Sequence, residues 1–207
     1  MSISSLIEPF MPAAMPPEPV CRLTPSQYHE MIAAGILGED DPLELLERWL
    51  VPKMVKNPPH STAIYLTTRV LERILPPSWH VRSQQPITTG DSEPEPDLAV
   101  VRGGPEQYGR SHPGSQDVAL VVEVADASVG RDRSTKKRIY ARAGIPVYWI
   151  LNLPERRIEV YADPTGPGQS PDYRQHADYA VGAEVPLVLD GRPAGRICVA
   201  ELLPANG

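Results

Sequence analysis

V-A-L-V-V-E-V-A-D-A-S-V-G-R-D-R-S-T-K-K-R-I-Y-A-R-A-G-I-P-V-Y-W-I-L-N-L-P, residues 118–154, is the stretch that decides the fold. Its first seven residues are apolar and mostly β-branched apart from one, which is the pattern of a buried strand. The exception is Glu123, near the end of the run. A carboxylate among buried valines is costly unless it is paired or bound to a cation. A basic helix over about 131–143 follows, and Gly144 stands where a left-handed residue closes a helix. Residues 147–151 read as a second buried strand. Strand, helix and strand together predict a βαβ crossover with a right-handed connection and parallel neighbours.

Upstream, D-L-A-V-V-R (97–102) reads as a strand with Asp97 at its entry, after a polar, acidic turn over 90–96 and a strand over 80–87. Pro58-Pro59-His60-Ser61 opens a helix over 61–75 that Pro76-Pro77 ends, with Ile64, Val70, Leu71, Ile74 and Leu75 mostly on one face. His60 is read there as a helix cap rather than a metal ligand. Residues 43–46 and 49–54 form two short strands about a tight turn. Thr24, Pro25 and Gln27 have the N-cap, N1 and capping-box positions of a first helix that runs to about Ala34 and stops at Gly35. Residues 1–20, with Pro9, Pro12, Pro16, Pro17 and Pro19, predict an extended arm, and 21–207 a single domain. Downstream, 158–161 (I-E-V-Y) pairs with 147–151 across a turn, 163–172 is a Pro/Gly loop, and 185–189 with 195–199 form a closing hairpin. The order predicts a mixed α/β (α+β) domain: a central mixed sheet flanked by helices, with added N-terminal strands and a C-terminal hairpin.

The 207 residues suffice for a domain with a substantial core, and the formal net charge of −6 excludes a uniformly basic nucleic-acid coat while leaving room for a local basic surface. Cys21 and Cys198 lie far apart without metal-ligand spacing, which suits free thiols in a cytoplasmic protein. No apolar run is long enough for a membrane span, and no secretory signal pattern opens the chain.

Asp97, Glu123 and the Lys136/Lys137 pair carry the chemistry. If the strands bearing Asp97 and Glu123 are antiparallel neighbours, both carboxylates reach one end of the sheet. Two hard oxygen ligands there suit Mg²⁺ or Mn²⁺, completed by water and the Val124 backbone carbonyl. Such a metal lowers the pKa of bound water and neutralises phosphate charge. Lys136 lies four residues after Asp132 and four before Tyr140, which places the three on one helix face; Lys137 points elsewhere. The competing readings are structural. Asp97 can cap its strand, Glu123 can pair with Lys136 or Arg138, and Tyr140, Tyr148 and Trp149 can be core. Arg131, Arg133, Lys137 and Arg138 belong to the densest positive stretch of the chain and form either a phosphate-facing surface or a solvated helix face.

P-D-L-A-V-V (96–101), V-V-E-V-A-D-A-S (121–128), D-R-S-T-K-K-R-I-Y (132–140) and A-G-I-P-V-Y-W-I-L (143–151) resemble the Uma family of restriction-endonuclease-like proteins, within the PD-(D/E)xK nuclease superfamily. L-E-L-L-E-R-W-L-V-P-K-M (43–54) and P-P-H-S (58–61) fit too, so the resemblance spans roughly 23–203. It implies a restriction-endonuclease-like core, a metal-dependent endonuclease acting on DNA, and a homodimer. Asp97 and Glu123 are then the metal-binding acids and Lys136 the catalytic lysine, while Glu44 matches an acidic position that can join the metal shell. The superfamily's usual lysine position is Ala125 here, so the lysine has moved to the helix. Arg48 replaces a common turn glycine, and Asp126 replaces a common serine. A catalytically inert nucleic-acid-binding or interaction module with the same fold is the alternative.

Overall fold

The computed structural model describes residues 21–38, 41–54 and 56–205; the arm expected over 1–20 lies outside the described residues. Helix α1 (Pro25–Ala33) starts at Thr24 with the capping box in place: Gln27 N donates to Thr24 Oγ1 and Thr24 N donates to Gln27 Oε1. Strands β1 (Leu43–Leu46) and β2 (Trp49–Pro52) pair antiparallel about Glu47 and Arg48, which adopt φ values of 49° and 71°. Both residues therefore carry the steric cost of the left-handed region, which a glycine would avoid. Helix α2 (Pro58–Ile74) begins earlier than expected because Asn57 is the cap: His60 N donates to Asn57 Oδ1 at 3.0 Å, with Pro58 and Pro59 in the first turn. The reading of His60 as the cap is thereby corrected.

The central sheet runs β3 (Trp79–Ser83), β4 (Leu98–Arg102), β5 (Val118–Ala125), β6 (Val147–Asn152), β7 (Arg157–Pro164) and β8 (Tyr173–Ala180), in that spatial order. Only β5 and β6 are parallel; every other neighbouring pair is antiparallel. Between β5 and β6 the basic segment is helical but irregular: α3 (Val129–Arg131) passes through a π turn (Asp132–Lys136) into α4 (Lys137–Arg142). Gly144 then takes φ 75° at the helix end. Strand β3 stops at Ser83, short of the expected 87, because Gln84 turns the chain at φ 53°. Strands β9 (Glu184–Leu189) and β10 (Arg192–Cys198) form the closing hairpin.

Side chains alternate across the sheet with period two. Leu98, Val100, Leu120, Val122, Val124, Trp149 and Leu151 pack against Ala63, Ile64, Val70 and Leu71 of α2 and against the β9–β10 hairpin. Ala99, Val101, Val121, Ala125, Tyr148 and Ile150 form the opposite core with Ile139, Tyr140 and Ala141 of α4. Fully burying one such aliphatic side chain contributes about 1.5–3 kcal/mol. Asp97 precedes Ala99 by two residues, and Glu123 lies between Val121 and Ala125. Both acids therefore belong to the face that α4 covers. Among the described residues no helix is long and apolar enough to cross a membrane.

Candidate active site

Leu98 of β4 stands opposite Val122 of β5, so the next step along each strand brings Asp97 and Glu123 to the same end of the antiparallel pair. Val124 N donates to Asp97 Oδ2 at 2.8 Å, which pins the aspartate to the end of β5. His60 Nε2, from the first turn of α2, lies 3.1 Å from the same oxygen, and His60 Nδ1 is buried with no hydrogen-bond partner. The early start of α2 therefore brings His60 to the site. The signal in the sequence is Asn57 before Pro58, a cap residue followed by proline at N1, which puts His60 in the first turn.

Glu123 is buried, and its Oε1 accepts a 2.5 Å hydrogen bond from the Tyr140 hydroxyl. Lys136 Nζ lies 3.3 Å from that oxygen and donates to Glu44 Oε2 at 2.7 Å. Burial, with Asp97 and Asp132 nearby, pushes the Glu123 carboxyl up to about 8 against the opposing pull of Lys136. Burial works against the Lys136 ammonium, but Glu123 and Glu44 outweigh it and raise its pKa above the ordinary lysine value. Asp132 is pushed up to about 6, chiefly by burial, although Ser128 Oγ donates to it at 2.6 Å. The expected common face of Asp132, Lys136 and Tyr140 survives the π turn: all three are buried on the side of the acids.

Glu44 is in the site with both oxygens engaged. Oε1 accepts from Arg131 at 2.6 Å, and Oε2 accepts from Lys136 and from Glu95 N. These groups and Val124 line a cavity of roughly 50 Å³, together with Lys53, Lys56 and His60. That is room for a cation with a few waters at most. Among the described residues Asp97 Oδ1 and Glu123 Oε2 accept no hydrogen bond, while their sister oxygens are held in place. Two anchored carboxylates, each with a spare hard oxygen, fit Mg²⁺ or Mn²⁺. Among the described residues the set of three His or acidic groups whose ligand atoms all lie within 4.8 Å of one another is instead Glu159, His176 and Asp178, on β7 and β8. The Glu159 oxygens there are already taken by Arg133, Asn152 and Tyr161.

The remaining basic candidates are placed elsewhere. Arg133 pairs with Glu159 at 2.6 Å and Glu155 at 3.2 Å. Lys137 pairs with Asp172 at 2.9 Å and stands over the Tyr161 ring. Arg138 and Arg142 both clamp Glu47, at 2.6 and 2.7 Å, and the hydrogen bond from Arg138 leads in holding that carboxyl down to about 2. Asp126 accepts from Asn57 Nδ2 and so steadies the cap of α2. Ala125, fully buried under α4, shares its sheet face with Glu123, and Lys136 reaches that face from the helix. Lys56, which no motif singled out, lines the cavity with no ion pair among the described residues.

A mixed sheet with two acids at the ends of neighbouring strands and a lysine set against one of them defines a protein of nuclease-like fold. The chain belongs to the Uma2 family, described as "Putative restriction endonuclease", whose model matches residues 25–190. Its fold is shared with a protein from Anabaena variabilis ATCC 29413, described as "a putative nuclease belonging to DUF820". That similarity has a TM-score of 0.63 at 17% identity and covers 87% of this chain and 97% of the other. No curated protein matches the chain.

Proposed function

We propose that this protein is an endonuclease that hydrolyses DNA phosphodiester bonds with Mg²⁺ or Mn²⁺ held by Asp97 and Glu123. The observation that carries this reading is the convergence of the two acids and Lys136 on one small cavity. When bound there, the cation supplies a Lewis acid for the phosphate and a water of lowered pKa. The Val124 carbonyl is a further candidate ligand at the same strand end. Glu44, with both oxygens occupied, serves chiefly to fix Lys136 and Arg131. Val124 N and His60 orient Asp97, and Tyr140 orients Glu123. Lys136, its pKa raised, stays an ammonium at neutral pH. It therefore donates hydrogen bonds and positive charge to the developing phosphorane and does not abstract a proton. Lys56, on the cavity wall with no ion pair among the described residues, is suited to a phosphate flanking the scissile bond.

A cleavage assay on plasmid and linear duplex with Mn²⁺ tests the assignment using wild type, Asp97→Ala and Lys136→Ala. Activity in wild type alone supports it, and equal rates in all three remove it. The completeness of the Lys136–Glu44–Arg131 ion network favours a second reading, an inert DNA-binding or interaction module. Calorimetry separates the two, because an inert module shows no saturable Mn²⁺ binding that Asp97→Ala abolishes. Pairing into a homodimer, which lets one site address each strand of a duplex, is checked by sedimentation; a monomer at all concentrations contradicts it.

A further inference from the structure

Binding to a nucleic-acid backbone draws on cations that can meet phosphates and release counterions. In the basic helical segment those cations are committed: Arg131 to Glu44, Arg133 to Glu159, Lys137 to Asp172, and Arg138 with Arg142 to Glu47. Arg82, opposite Ala99 on the sheet face that α4 covers, and Arg110, in the loop after β4, form no ion pair among the described residues. Arg82, on β3, is only 8% exposed. Its Nε is buried with no hydrogen-bond partner, its Nη2 lies 3.5 Å from His112 Nδ1, and its guanidinium stands 5.8 Å from the centre of the Tyr108 ring. A guanidinium buried without an anion is costly, and burial pulls its pKa down.

The two side chains that cover Arg82, Tyr108 and His112, line an open groove of roughly 700 Å³ between α1 and the 105–116 loop, and Arg110 lines it too. The carboxylate beneath, Glu93, is already covered. His29 Nε2 lies 2.6 Å from its Oε1, Thr88 Oγ1 donates to its Oε2 at 3.0 Å, and His112 Nε2 is 3.7 Å away. The groove is also close to the acids. Thr88 lines the groove and Asp97 lines the cavity. The four-residue step from Glu93 to Asp97 spans at most about 14 Å when extended.

We propose that this groove is a phosphate subsite for the substrate strand beyond the scissile position, with Arg110 meeting the phosphate at the rim and Arg82 supplying charge from behind Tyr108 and His112. This rests on the nuclease reading and assigns the backbone contacts away from the paired helix. The test is fluorescence anisotropy of a labelled duplex of about 16 base pairs, in EDTA, with Asp97→Ala as the parent protein. Arg110→Ala is expected to weaken binding about fivefold to tenfold and to reduce the salt slope by about one. Arg82→Met is expected to weaken it by a similar factor. Arg110→Glu, on an exposed side chain, keeps the test decisive should Arg82→Met fail to fold, and is expected to weaken binding more than tenfold. If both Arg110 variants bind like the parent while Lys56→Ala weakens binding, the groove assignment is overturned and the nuclease reading stands. If the parent binds neither duplex nor single strand at about 50 mM salt, the groove assignment and the nuclease reading fall together.

Discussion

Replacing Lys136 with methionine removes one ammonium group and nearly preserves the length of the side chain. In the native protein that ammonium lies 2.7 Å from Glu44 and 3.3 Å from Glu123, and all three side chains are buried. Removing one partner of a buried ion pair costs about 3–5 kcal/mol. Two features reduce the figure here. Arg131 continues to pair with Glu44 at 2.6 Å, and Glu123, raised to about 8, is already mostly protonated at pH 7 in wild type. The expected loss at pH 7 is therefore about 2–4 kcal/mol. The pH dependence carries its own sign. A carboxyl whose folded pKa lies above its unfolded value lowers stability as pH rises between the two, so the Glu123 cost accumulates from about 4.5 to about 8 in wild type and then levels off. Without Lys136 the folded pKa rises further, so the gap between variant and wild type widens above pH 8 by up to about 1.4 kcal/mol per pH unit. Urea unfolding followed by far-ultraviolet circular dichroism at pH 6, 7, 8 and 9 measures this. A variant within about 0.5 kcal/mol of wild type at every pH refutes the burial of Lys136 between the acids.

Three further outcomes are expected. Tyr140→Phe removes a buried hydrogen bond of 2.5 Å to Glu123, so urea unfolding should show a loss of about 1–3 kcal/mol; no loss means the hydroxyl does not hold the acid. Burial acts to raise the Glu159 carboxyl, but hydrogen bonds from Arg133, Asn152 and Tyr161 outweigh it and hold it at about 2. Its contribution is present above its unfolded pKa and is lost as pH falls from about 4.5 through about 2. Discounted for the partly exposed Arg133 side chain, it amounts to about 2 kcal/mol. Glu159→Gln should therefore destabilise the protein at pH 7 and converge with wild type near pH 2 in acid titrations. Arg48→Gly relieves a left-handed residue at φ 71° and should raise stability by about 0.5–1 kcal/mol, read as a higher melting temperature; a lower one shows that the arginine's own contacts outweigh the strain.

The two buried strands and the acid at the end of each were legible because a β-branched run with a single carboxylate at its end fits little besides a buried strand that finishes at a polar site. The capping box of α1 was legible for a similar reason: Thr24 and Gln27 can satisfy each other's backbone only in that geometry. Strand β8 was not. Its side chains are nearly all exposed, so Tyr173–Ala180 shows neither an apolar run nor alternation, and it is held as an edge strand by backbone pairing to β7. The reading of His60 as a cap passes over Asn57, whose residue type and following Pro58 are the ordinary signature of an N-cap with proline at N1. Tyr140 reads as core, which it also occupies; the ring packs in the hydrophobic cluster while the hydroxyl reaches Glu123. The pairing of each helix cation was illegible because the acids involved come from β1, the β1–β2 turn, β7 and the loop before β8.

Crystals grown with Mn²⁺ and measured at the manganese absorption edge test the central assignment most directly. The account predicts an anomalous peak bound by Asp97 and Glu123 beside Lys136, absent in Asp97→Ala. A peak only at Glu159, His176 and Asp178, or a peak that survives Asp97→Ala, contradicts it.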